Sequence, residues 1–247
     1  MIKINKLTLL ALAFVLGTGG TVGVMMAPSC ERNEYEFMLK NAEGGDASEQ
    51  ARLAFHYLIG FEFMGIPRDI NKAIYWYKKS AEQGNTTALQ KLGDLYFEGK
   101  YVSQDYTKAL EFFNKAAEKG DASTQTKLGD IYSGGEGVPQ DYTKAVQWYM
   151  EAATGLNNYS VAQFRLGQLY ANGQGVTKDD FKSAMWIEKA ANQEYSPAQH
   201  ILGLYHLMGK GVIRDSEKGC NLLRASAEDK YGGYSPAITS YNQFCAK

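Results

Sequence analysis

Three histidines set the first limit on the chemistry available to this 247-residue chain: His56, His200 and His206. Two metal ligands on one helix share a face at i and i+4, and His200 and His206 are six residues apart. His56 belongs to a packed helical interface by its surroundings. No HExxH, GxSxG or Walker-type phrase occurs. The phrases Gly135-Glu136-Gly137-Val138, Gly173-Gln174-Gly175-Val176 and Gly209-Lys210-Gly211-Val212 resemble phosphate cradles, but they return at regular intervals, as turn punctuation does. No Ser/His/Asp set assembles from the order of residues. The sequence therefore implies no catalytic residue, no metal and no cofactor.

The elements around these residues form a repeat. Leu92-Gly93, Leu128-Gly129, Leu166-Gly167 and Leu202-Gly203 follow one another at offsets of 36, 38 and 36 residues. A second marker, Lys72-Ala73, Lys108-Ala109, Lys144-Ala145 and Lys182-Ser183, keeps the same rhythm. A period of this length marks stacked units that bury their cores against one another. Within residues 86–121, Ala88, Leu92 and Tyr96 make a helical stripe, and Gly93 beside it permits close approach of a neighbouring helix. Glycines end the first helix of each unit. Asp105, Asp141, Asp179 and Asp215 are placed to cap the second, and the loop valines point back to the core. Trp76, Trp148 and Trp186 hold equivalent positions, which predicts packing between repeats rather than a ligand platform.

The phrases LGDLY…QDYTKALEFFNKAAEKGD, LGDIYSGGEGVPQDYTKAVQWYMEAA, LGQLYANGQGVTKDDFKSAMWIEKAA and LGLYHLMGKGVIRDSEKGCNLLRASAE together resemble the Sel1-like repeats, a subclass of tetratricopeptide-type helical hairpins. The first copy departs by carrying Ala54 for the glycine and a longer loop, and the last carries His206 for the tyrosine. The resemblance implies an all-α, right-handed α-solenoid of antiparallel helix pairs. About five full repeats span 47–234, with capping half repeats at 30–46 and 235–247. It also implies partner binding rather than catalysis. Some Sel1-like proteins are associated with β-lactam binding or weak hydrolysis, but those carry a cysteine pair in each repeat, which this chain lacks.

Residues 1–29 differ from the rest. Lys3 and Lys6 precede an apolar run from Leu7 to Leu16, then small residues, with no acidic residue throughout. That is the pattern of an export signal. A retained anchor is the rival, and four glycines make it a poor one. Without this segment the chain has 24 basic and 27 acidic residues, a balance without the basic face that nucleic acid requires. Cys30 sits at the junction, where lipidation and a plain cut nearby are both open. Cys220 lies early in a second helix and Cys245 near the end of the next. Antiparallel succession brings those ends together, so a disulfide closing a 25-residue loop is expected in an oxidising compartment, with two free thiols as the alternative.

First helices of such hairpins line the inner surface. Counting from the Leu-Gly marker, the outward positions are Gln90 and Asp94, Thr126 and Asp130, Phe164 and Gln168, and His200 and Leu204. The first four are polar or acidic and the last four more apolar. This predicts a partner protein with a basic segment followed by an apolar one, with Phe164 as its anchor if exposed. The expected partner is an envelope protein or a secreted effector, bound by a periplasmic monomer that touches membrane only through lipid at Cys30. An immunity protein against a lipase-type effector is the sharper alternative.

Overall fold

The computed structural model describes residues 28–61, 65–154, 158–228 and 234–246, with side chains from Glu34 onward. The expectations for residues 1–27 and for the Cys30 side chain lie outside the described residues. Among the described residues twelve α-helices follow one another: α1 (Pro28–Glu43), α2 (Ala47–Ile59), α3 (Ile70–Glu82), α4 (Thr86–Glu98), α5 (Tyr106–Glu118), α6 (Ala122–Gly134), α7 (Tyr142–Thr154), α8 (Ser160–Asn172), α9 (Asp180–Ala191), α10 (Ser196–Met208), α11 (Ser216–Ala227) and α12 (Ser235–Phe244). The β-structure described is a single isolated bridge, Phe61 to Ile66. No helix among the described residues is long and apolar enough to cross a membrane. The chain divides into two compact units, 1–83 and 84–247.

Capping explains where the helices start and stop. Asp69, Asp105, Asp141, Asp179 and Asp215 each accept a hydrogen bond from the backbone N–H three residues on, at 2.9–3.0 Å. Each such cap is worth about 1 kcal/mol. At the other end, α4, α6, α8 and α10 close on Gly99, Gly135, Gly173 and Gly209 in the left-handed region, which costs glycine nothing. Buried glutamines then satisfy the carbonyls that a preceding helix leaves open: Gln50 donates to Ala42 O (2.9 Å), Gln125 to Ala117 O (3.0 Å) and Gln163 to Ala153 O (3.2 Å).

In the first unit, Met38 and Ala42 of α1, Leu53 and Tyr57 of α2, Ile66 and Ala73 make the core, with Trp76 packed on it. In the second, Phe113 lies over Gly93, Tyr149 over Gly129 and Ile187 over Gly167, so each marker glycine seats a side chain from the second helix of its own pair. The tryptophans reach back one repeat. Trp148 of α7 packs on Ala109 and Phe113 of α5, and Trp186 of α9 joins Ala145 and Tyr149 of α7.

The two sequence markers also meet. Lys72 stands over the ring of Tyr57 at 5.2 Å, Lys108 over Tyr96 at 5.5 Å, Lys144 over Tyr132 at 5.2 Å and Lys182 over Tyr170 at 5.6 Å. Contacts of this kind contribute about 0.5–1 kcal/mol at exposed sites. Where His206 replaces the tyrosine, Lys218 pairs with Glu188 instead, at 3.3 Å. Cys220 of α11 and Cys245, which follows α12, are joined by a disulfide across a Cα–Cα separation of 5.6 Å.

Candidate partner-binding face

The second unit separates the expected binding residues into two classes. Asp130 is exposed, and Gln90, Asp94, Gln168 and Leu204 are partly exposed. Thr126, Phe164 and His200 are buried, at 4%, 8% and 8% exposure. Phe164 is therefore not the exposed anchor that the condition on it required. The reason is geometric: these residues lie one turn nearer the helix N-terminus than Asp94 and its equivalents, where Phe164 and His200 meet rings that precede the next first helix. Gln90 Nε2 donates to Ser123 Oγ (3.3 Å), Phe164 meets the ring of Tyr195 edge-on at 5.5 Å, and His200 meets Tyr234 likewise at 5.5 Å. Thr126 turns its hydroxyl back to Ala122 O, 2.7 Å away.

The two aspartates of the acidic half both have cationic partners. Asp94 is paired with Lys127 of the following repeat, and Lys91 stands 3.6 Å from its other oxygen. Asp130 is paired with Arg165 of the next repeat at 3.1 Å. These cations precede the marker leucine (Lys91-Leu92, Lys127-Leu128, Arg165-Leu166), a recurrence legible in the sequence. Exposed pairs of this type contribute about 0–1 kcal/mol, so they cost little to open when another charged group arrives.

Asp130 is held more firmly than Asp94. The Tyr149 hydroxyl, on the ring that covers Gly129, donates to Asp130 Oδ1 at 2.6 Å and lies 3.4 Å from Ser133 Oγ. Burial, followed by the bond to this carboxylate, raises the Tyr149 pKa well above the ordinary phenol range, so the hydroxyl remains a donor. Around these groups opens a cleft of about 410 Å³, bounded by Gln90 and Phe97 of α4, Ser123, Lys127 and Asp130 of α6, Glu136 of the following loop, and Tyr159 and Val161 at the start of α8. Its lining offers paired charges, amides and hydroxyls around a small apolar floor. That chemistry suits the backbone and side chains of another polypeptide.

A Ser–His contact does form, between Ser240 Oγ and His200 Nε2 at 2.9 Å. His200 Nδ1 is buried without a hydrogen-bond partner among the described residues, and none of these supplies the orienting carboxylate of a hydrolytic triad. Burial lowers the His200 pKa, and the contact serves as a joint between α10 and α12. His56, in the first unit, is lowered for the same reason, with the nearby Arg52 charge adding to it.

Comparison with known proteins places this architecture. A Sel1 repeat protein from Oxalobacter formigenes is 30% identical in structure-based alignment, with a TM-score of 0.77 over 88% of this chain and 86% of that one. The protein c5321 of uropathogenic Escherichia coli, described as a protective antigen displaying an SLR fold, is also 30% identical, with a TM-score of 0.67 over 84% of this chain. This chain spans 50% of the length of that structure. Among curated proteins, the ERAD-associated E3 ubiquitin-protein ligase component HRD3A of Arabidopsis thaliana is 29% identical over 84 residues, covering 34% of this chain and 12% of that protein. The Sel1 repeat matches five times in succession, at residues 50–85, 86–121, 122–155, 160–195 and 196–231, and the chain belongs to the Sel1 repeat family.

Proposed function

We propose that this chain is a non-catalytic interaction module, exported to the bacterial envelope, that receives a partner protein on the solvent faces of α4, α6 and α8. Sel1 repeats mediate protein–protein interaction. The observation that carries the location is the Asp130 site, where an exposed carboxylate is oriented by the buried Tyr149 hydroxyl beside the cleft. A fixed carboxylate with a loosely paired cation next to it offers a partner a charge-exchange contact at low ordering cost. Export rests on the residue pattern of the N-terminal segment.

The test is capture from bacterial envelope and secreted fractions by the purified, oxidised chain, read by mass spectrometry beside a Lys127→Glu/Asp130→Lys variant. A stoichiometric partner that the wild type retains and the equally stable variant loses supports the reading. Equal retention by both moves the site elsewhere. A toxin-like partner points to an immunity role, and a cell-wall or assembly protein to a scaffold. No protein partner in either fraction sinks the proposal.

A further inference from the structure

The terminal helix, α12, lies against α11 but buries few side chains. Of the side chains of α12, only Ala237 is buried (0% exposed), while Ile238 and Phe244 remain 41% and 50% exposed. The preceding first helix, α10, buries Ala198, Leu202 and Tyr205 among others. Among the described residues, the other ties here are the edge-on contact of Tyr234 with His200 and a few polar ones. Tyr234 N–H donates to Ser226 O (3.0 Å), Ser240 meets His200 (2.9 Å), and Arg224 Nε donates to Tyr241 OH (3.2 Å) with its guanidinium 5.5 Å over that ring. A ten-residue helix has little stability of its own in water. The covalent bond from Cys245 to Cys220 of α11 is the strongest tie among the described residues.

We propose that the Cys220–Cys245 bond is a redox clasp that fixes α12 as a closed cap on α10 and α11, and that its reduction makes the cap displaceable. Both cysteines are partly exposed, and Cys245 lies between exposed Phe244 and Ala246, so an attacking thiolate has an approach. A protein dithiol of the envelope attacks one sulfur to form a mixed disulfide. Its second thiol then resolves that intermediate, leaving two cysteine thiols here and one disulfide in the reductant. With the clasp open, the polar ties exchange with water and α12 samples detached states.

The face it leaves has a definite shape. His200 offers a ring nitrogen to a hydroxyl, Arg224 offers its guanidinium to an aromatic ring, and the small Ala237 is fully buried. The occupant that fits is an amphipathic helix of a partner with the α12 pattern, small residue, hydroxyl and aromatic in that order.

Hydrogen exchange on the purified chain tests this without any partner, so its failure and that of the α4, α6 and α8 reading are separate results. Reduction by a dithiol, or the Cys220→Ser/Cys245→Ser variant, should speed exchange of the α12 amides by at least about tenfold and leave α4–α9 unchanged. A synthetic peptide of residues 234–246 with Cys245→Ser should bind the reduced chain and not the oxidised one. Ser240→Ala should speed α12 exchange further in the reduced chain only. Unchanged protection after reduction would show that packing holds the cap. Loosening throughout α4–α9 would make the bond a general staple. A bond that resists the dithiol in the folded chain also overturns the clasp.

Discussion

Gly129 and the ring of Tyr149 show how one position serves both packing and the candidate site. A side chain at 129 would run into that buried ring, and displacing the ring would move the hydroxyl that orients Asp130. Gly129→Val should therefore cost about 2–3 kcal/mol as overpacking in a filled core, measured by chemical denaturation. Tyr149→Phe removes the hydroxyl alone and should weaken partner capture at Asp130 more than it lowers the melting temperature. His200 gives a pH signature whose sign follows from burial. Its folded pKa lies below the ordinary 6.5, so in the interval beneath 6.5 the unfolded chain binds a proton that the folded chain refuses. Stability should fall as pH drops below 6.5 and level off beneath the folded value. His200→Gln should flatten the part of the profile that belongs to the second unit, whereas an unchanged slope would assign that loss to other groups.

Among the elements, the second helices hold successive repeats together. Trp186 projects from α9 into the Ala145 and Tyr149 cluster of the preceding pair and is buried there. Trp186→Ala should cost about 3–5 kcal/mol, and a variant of unchanged stability would contradict the packing role. The Lys-Ala and Leu-Gly-x-x-Tyr markers were evident as a rhythm, and the structure gives the rhythm a cause, since the lysine of one stands over the tyrosine of the other in four repeats. The helix starts were legible because an aspartate at the cap is a local signal that works through the backbone of the next three residues. The glutamine bonds to Ala42, Ala117 and Ala153 were not, because each spans eight or ten residues and depends on how two helices meet.

For the molecule as a whole, the disulfide separates local from global stability. A cross-link closing a loop of this length contributes about 3 kcal/mol by chain entropy if the loop unfolds with everything else. The clasp reading expects less. With α12 already loose, the Cys220→Ser/Cys245→Ser variant should shift the denaturant midpoint reported by Trp186 by well under that amount. The same distinction explains why surface charge says little here. The chain carries 26 basic and 27 acidic residues, and Asp94 and Asp130 are tied to Lys127 and Arg165 across repeats.

The residue order by itself determined the helix pairs, their caps, their period, the absence of a recognisable catalytic phrase and the family, because each of these is written in spacings shorter than one repeat or in the repeat itself. Asp130 is exposed and Asp94, Gln168 and Leu204 partly so, positions that the count from the marker gives. Only the tertiary structure decided that Thr126, Phe164 and His200, one turn away on the same face, are buried. It also decided that both aspartates are already paired. A helical wheel specifies direction within one helix, whereas cover and charge pairing depend on side chains about 35 residues away, brought alongside by stacking.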